Sequence, residues 1–217
     1  MCPDTYGRTM SKTAVSLIQT GLRDLGFAPG AIDGVFGERT RAATQAWLSV
    51  DGAPTASALA PETRAQMFQG KARYLITEIA IHCSATRPDW MGNATLAEQR
   101  AEIRRWHMQD RGWRDIGYHW LIGRDGSVMA GRAETEIGAG IIGHNNGVIH
   151  ICLIGGADSA ETDRFAVNFT GRQEITARQL LQAVSSRTGI RRISGHNEWA
   201  AKACPGFNVP SWLKEAA

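Results

Sequence analysis

From Leu75 to Ser194 short β-prone runs alternate with helices that open on capping boxes, and this alternation restricts that part of the chain to a sheet covered by helices. In LITEIAIH, Ile76, Glu78, Ala80 and His82 alternate with Thr77, Ile79 and Ile81, which predicts a strand carrying His82 at its C-terminal end. Thr95 and Glu98 form a capping-box pair opening a helix that runs through about Asp110. IGYHWLIGRDGSVMAGR reads as two β-prone runs joined at Asp125 and Gly126, a hairpin signal. VIHICLIGG is a further run, followed by a second capping box, Thr170 with Gln173, and a helix with Ala177, Leu180, Leu181 and Val184 on one face. Gly189 ends that helix, and Ile190 to Ser194 form a strand leading into Gly195 and His196. Two strands thus each deliver a histidine at or just past the end where sites of open α/β sheets form.

The first third reads differently. Val15, Ile18, Leu22 and Leu25 recur at helical spacing, with Gly26 placed to end the helix. GAIDGVFGERT follows, its glycines permitting tight turns around Ile32, Val35 and Phe36 as candidate buried residues. A second helix is predicted over 40–48 and a third from Pro61. The expected organisation is a small all-α three-helix domain over 11–70, a boundary at GKARY, and an α/β domain over 74–217 with a mixed central β-sheet flanked by helices.

Composition narrows the function classes. With 43% apolar and 21% charged residues the chain is globular, and a net charge of +3 is too small to argue for nucleic acid. No run approaches the roughly 18 apolar residues of a membrane span, and MCPDTYGRTMSK lacks a signal-peptide core, so a chain made in the cytosol without stable membrane insertion is expected. Cys2, Cys83, Cys152 and Cys204 make no stapling pattern; Cys83 and Cys152 read as buried thiols, with alternation turning Cys83 away from the face of His82.

GAGIIG, at 138–143, has the glycine spacing of a dinucleotide loop, but turn and strand follow it rather than a helix, so it is set aside. His107, His119 and His150 read as packed, structural histidines. GHNEWAAKACPGF is different: a short loop with Gly195 and Pro205 at its ends can fold back and bring His196 and Cys204, both zinc donors, to one point. A site needs a third donor, for which His82 is the best-placed candidate.

IHCSAT, RGWRDIGYHWLIGRDGSVMAGR, ICLIGG and GHNEWAAKACPGF together resemble the type 2 N-acetylmuramoyl-L-alanine amidases, which include phage lysozyme-type amidases and peptidoglycan recognition proteins, over about 76–207. The resemblance implies one Zn2+ per chain held by His82, His196 and Cys204, with Tyr118 and Lys202 as catalytic partners. A metal with three protein ligands keeps a fourth position for water, which suits hydrolysis, and the resemblance implies that the bond cut is the amide between N-acetylmuramic acid and L-alanine in peptidoglycan. LIQTGLRDLGF and AIDGVFGERT are similar to three-helix peptidoglycan-binding modules, which favours polymer over soluble fragment. The expected setting is a monomeric phage or prophage endolysin that reaches the periplasmic wall after holin-assisted release. A cytosolic amidase recycling muropeptides and a non-hydrolytic recognition protein are the alternatives. His144 and Asn145, in a glycine-flanked loop, are candidate substrate contacts, with a turn role as the competing reading.

Overall fold

The structure, a computed structural model, describes residues 12–24, 26–48 and 66–215. The chain divides into two units, Met1–Ala58 and Leu59–Ala217.

In the first unit α1 (Lys12–Asp24) buries Val15 and Leu22 as the periodicity requires. Gly26, at φ +84°, terminates it: its N–H bonds to Arg23 O and the Phe27 N–H to Leu22 O, both at 2.9 Å, the paired carbonyl-capping pattern that a residue without Cβ permits. The helix α2 (Glu38–Leu48) begins two residues before its predicted start, and the third predicted helix, from Pro61, lies outside the described residues, as does Leu25.

The loop between α1 and α2 departs from expectation. Ile32 is 39% and Val35 56% exposed, so they are not its buried residues. The buried Gln19 amide organises the loop instead: Nε2 donates to Asp33 Oδ1 at 2.9 Å, Val35 O at 3.0 Å and Thr40 Oγ1 at 3.2 Å, while Oε1 accepts from Gly34 N at 3.0 Å. A polar hub that satisfies backbone groups turns the flanking apolar side chains outward.

The second unit opens with an antiparallel ribbon, β1 (Phe68–Gln69) and β2 (Tyr74–Leu75), then β3 (Glu78–Cys83) and α3 (Leu96–Arg105). A π-helical turn, Trp106–Asp110, extends α3 to the predicted end. The hairpin β4 (Trp120–Ile122) and β5 (Val128–Ala130) follows, then β6 (Val148–Leu153), the short α4 (Phe165–Asn168), α5 (Gly171–Arg187), β7 (Arg192–Gly195) and α6 (Val209–Lys214). The sheet order is β5-β4-β6-β3-β7; β4, β6, β3 and β7 are mutually parallel and β5 is antiparallel to β4. This is the mixed sheet expected.

The two central strands, β3 and β6, are buried at every position because helices cover both faces. On one side Ile79, Ile81, Ile149, Ile151 and Leu153 pack with Ala177, Leu181 and Val184 of α5 and Trp212 of α6. On the other, Leu96 and Ile103 of α3 pack with Leu121, Cys152 and Ile154. Each fully buried isoleucine contributes about 1.5–3 kcal/mol relative to exposure. Alternation places Cys83 with the α5 cluster and leaves His82 and His150 on the opposite face, toward the loops that build the site.

Candidate metal centre

The site forms where parallel strands end. His82 is the fifth residue of β3 and wholly buried; His196 follows β7 directly, at the start of a 3-10 turn (His196–Glu198). The Glu198 carboxylate accepts the Gly195 N–H at 2.7 Å, which closes that turn on the strand end. The chain then folds back: Asn197 N–H donates to Cys204 O at 2.7 Å, joining the two ends of the loop.

One donor atom from each of His82, His196 and Cys204 lies within 4.8 Å of the others, the one such group of three among the described residues. Cys204 Sγ is 3.9 Å from His82 Nδ1, and the Cys83 backbone N–H donates to Cys204 Sγ at 3.2 Å. Bonds of ~2.0–2.3 Å put the donors of a tetrahedral zinc site roughly 3.5 Å apart, so a small contraction would suffice.

The protonation states suit a cation. Burial, with the neighbouring His196, His119 and Lys202, holds His82 well below the usual imidazole range, and burial with Lys202 lowers His196 to about 4, so both rings are neutral and offer lone pairs near pH 7. Hydrogen bonding with the Cys83 side chain, together with burial, pushes the Cys204 thiol well up; a cation would favour the thiolate, which the Cys83 N–H also stabilises.

A cleft of about 270 Å³ opens beside these groups, lined among others by His196, Cys204, Tyr118, Lys202, Arg111 and Trp113. The Tyr118 ring lies 5.3 Å from that of His82. Burial raises its hydroxyl well above the ordinary phenol range, so it remains a proton donor. The candidate catalytic pair from the sequence thus faces the same cleft as two of the candidate ligands, His196 and Cys204, with the buried His82 beside them.

His144 and Asn145 are not among the residues lining this cleft. His144 stacks on Trp199 at 3.6 Å and its Nε2 is 2.8 Å from the buried Glu78 carboxylate, while Asn145 Oδ1 accepts from Ile141 N at 2.9 Å within a turn. Their polar groups are engaged in holding their own loop.

Sequence reasoning passed over two features. Arg111 and Trp113 were visible only inside a longer motif, and they line the cleft just after the π-helical turn that ends at Asp110. His150, read as structural, places Nδ1 2.9 Å from His82 Nε2. Gly138 and Gly140 of GAGIIG also acquire a reason: a Cβ on Gly138 would meet the His150 ring, and one on Gly140 would come within 2.6 Å of His150 Nδ1 and 2.8 Å of His82 Nε2. They let backbone lie against imidazole rings.

Residues 71–207 match the N-acetylmuramoyl-L-alanine amidase family and residues 11–59 a peptidoglycan binding domain family. The endolysin of Escherichia phage T7 is 39% identical over 147 residues, covering 68% of this chain and 91% of the phage protein. Among solved structures, bumblebee PGRP-SA superposes with a TM-score of 0.54 at 26% identity, over 70% of this chain and 86% of that one. The N-acetylmuramoyl-L-alanine amidase LysC from Clostridium intestinale gives 0.50 at 25% identity, over 62% and 79%.

Proposed function

The chain belongs to the N-acetylmuramoyl-L-alanine amidase family, and from that premise we propose that it is a zinc-dependent hydrolase of the amide between N-acetylmuramic acid and L-alanine in peptidoglycan. The observation that carries the reading is the convergence of His82, His196 and Cys204 beside a cleft that Tyr118 and Lys202 also line.

A zinc ion at these three residues would supply Lewis acidity to the scissile carbonyl and to a water molecule. The protein's own groups do the rest. The Lys202 ammonium, and the Tyr118 hydroxyl that burial keeps protonated, are suited to stabilise negative charge growing on the carbonyl oxygen. Arg111 and Lys202 make the cleft cationic, which suits a peptide stem bearing carboxylates, and the faces of Trp106 and Trp113 offer apolar walls.

We assign the catalytic domain to 74–217 and a wall-binding module to 11–70, the protein acting as a monomer. The match to a peptidoglycan binding domain, and the likeness to a phage endolysin, support an enzyme that degrades polymeric wall in preference to one that recycles soluble fragments, and holin-assisted release is the route we propose for it. No helix among the described residues is long and apolar enough to cross a membrane.

Mass spectrometry of digested sacculi tests the bond specificity. Free stem peptides with new L-alanine amino termini are expected; new reducing sugar ends would make the enzyme a glycosidase and overturn the reading.

A further inference from the structure

We propose that His150 is the positioning residue for His82, fixing the tautomer in which His82 Nδ1 is free to ligate a metal; this rests on the metal reading above. His82 and His150 are wholly buried, with His82 Nε2 and His150 Nδ1 2.9 Å apart, while His82 Nδ1 faces Cys204 Sγ at 3.9 Å. One ring nitrogen of His82 is thus committed to His150 and the other to the candidate centre.

The His150 ring is caged. His119 stacks on it at 5.6 Å between centroids and 8° between planes. His119 is itself fixed: Nδ1 accepts the His150 backbone N–H at 2.8 Å, so its proton is on Nε2, which donates to Glu136 O at 2.9 Å. Gly138 and Gly140 close the edges, where a Cβ at either position would collide with the His150 ring.

Two arrangements of the pair are open. In the first, His150 Nδ1–H donates to His82 Nε2, the His82 proton is on Nδ1 facing the Cys204 sulfur, and His150 Nε2 is a bare acceptor. In the second, His82 Nε2–H donates to His150 Nδ1, His82 Nδ1 carries a lone pair, and the His150 proton is on Nε2. Both hold two protons on two neutral rings, so the charge is the same. His150 Nε2 is buried without a hydrogen-bond partner among the described residues. An unpaired buried N–H is costlier than an unpaired acceptor, so the metal-free pair favours the first arrangement and a metal at His82 Nδ1 selects the second. His150 is then the acceptor that holds His82 in its ligating form, a role side chains around metal-bound histidines commonly fill.

The test combines zinc affinity, by competition with a chromophoric chelator, with 15N NMR of the imidazoles of the full-length protein. His150→Leu should bind zinc about 10–100-fold more weakly than wild type. His150→Asn, whose Oδ1 takes the place of Nδ1, should recover most of the loss. Gly140→Ala should weaken zinc binding too, because its methyl would wedge between His150 Nδ1 and His82 Nε2, at 2.6 and 2.8 Å from them. On adding zinc, wild-type spectra should show the protons of His82 and His150 both on Nε2. A zinc-loaded His82 protonated at Nδ1, or undiminished affinity in folded His150→Leu, would overturn the inference, and if that variant does not fold the wild-type spectra decide. A wild-type chain that binds no zinc would overturn the metal reading itself, and this inference with it.

Discussion

Tyr118 and Lys202 face one cleft with different chemistry, a neutral donor and a cation, and both are proposed to act on charge that exists only in the transition state. Tyr118→Phe and Lys202→Ala should therefore each lower kcat on the order of a hundredfold, while zinc content measured by metal analysis stays at one per chain. Near-normal turnover would return the residue to a packing or surface role. The histidines give a second prediction. His107 is lowered to about 4 by burial and by Arg111 and Arg132, against an ordinary value of 6.5, so the native state resists a proton that the unfolded chain accepts. Its stabilising effect is complete above pH 6.5 and lost as pH falls toward 4, amounting to roughly 3 kcal/mol at most. His107 Nδ1 accepts the Gly117 N–H at 3.1 Å, so His107→Asn, which keeps an acceptor near that point, should flatten the acid limb of stability measured by urea unfolding. An unchanged limb would place the acid sensitivity elsewhere. The candidate ligands and Tyr118 were legible because they sit in motifs or at strand ends. His150 was not: a histidine in a β-run looks the same whether its ring meets apolar neighbours or His82, and the contact joins residues 68 positions apart.

At the scale of elements, both capping boxes form as read. Thr95 Oγ1 accepts from Glu98 N and Thr170 Oγ1 from Gln173 N, and each partner side chain reaches back to its cap. The second box also joins helix to sheet. Thr170 Oγ1 donates to Arg124 O at 2.7 Å, and the buried Gln173 Nε2 donates to Ile122 O at 3.2 Å and Ile154 O at 2.9 Å, just where β4 and β6 end. Thr170→Ala should cost about 1–2 kcal/mol, and Gln173→Leu about as much or more, since it takes the donor from the buried Ile154 carbonyl, whereas Ile122 O keeps the Ile154 N–H at 2.9 Å. Thermal denaturation would register either; a Gln173→Leu variant as stable as wild type would show that the strand ends find other donors. Caps, strands and hairpin were readable because they are set by residues close in sequence. The π-helical turn was not, because an Arg111 N–H bonded to Trp106 O at 3.2 Å is a shift of hydrogen-bond register that no residue type demands. The strand order was likewise beyond local pattern, since the β3–β6 and β3–β7 pairings are set by tertiary packing. In the α1–α2 loop the glycines announced turns, yet the buried residue proved to be Gln19, whose amide matches the loop's polar groups better than an apolar side chain could.

For the whole molecule, the proposed division of labour separates attachment to the wall from cleavage of it. Cys204→Ser replaces a soft sulfur donor with a hydroxyl, a poor zinc ligand at neutral pH, while changing side-chain volume little. If hydrolysis depends on the metal centre and wall affinity partly on residues 11–70, this variant should sediment with purified sacculi yet fail to solubilise them. An undiminished lytic rate would remove Cys204 from the centre. Deleting residues 1–70 gives the complementary measurement. A chain held to the polymer by one module meets scissile bonds at a raised effective concentration, an advantage that a small soluble muropeptide cannot provide because it engages the cleft alone. The truncated protein should therefore lose more activity on whole sacculi than on the muropeptide, and added salt or free wall fragments should weaken the full-length protein toward the truncated rate. Equal losses on both substrates would mean that the first unit supports the fold of the second and does not carry it to the wall.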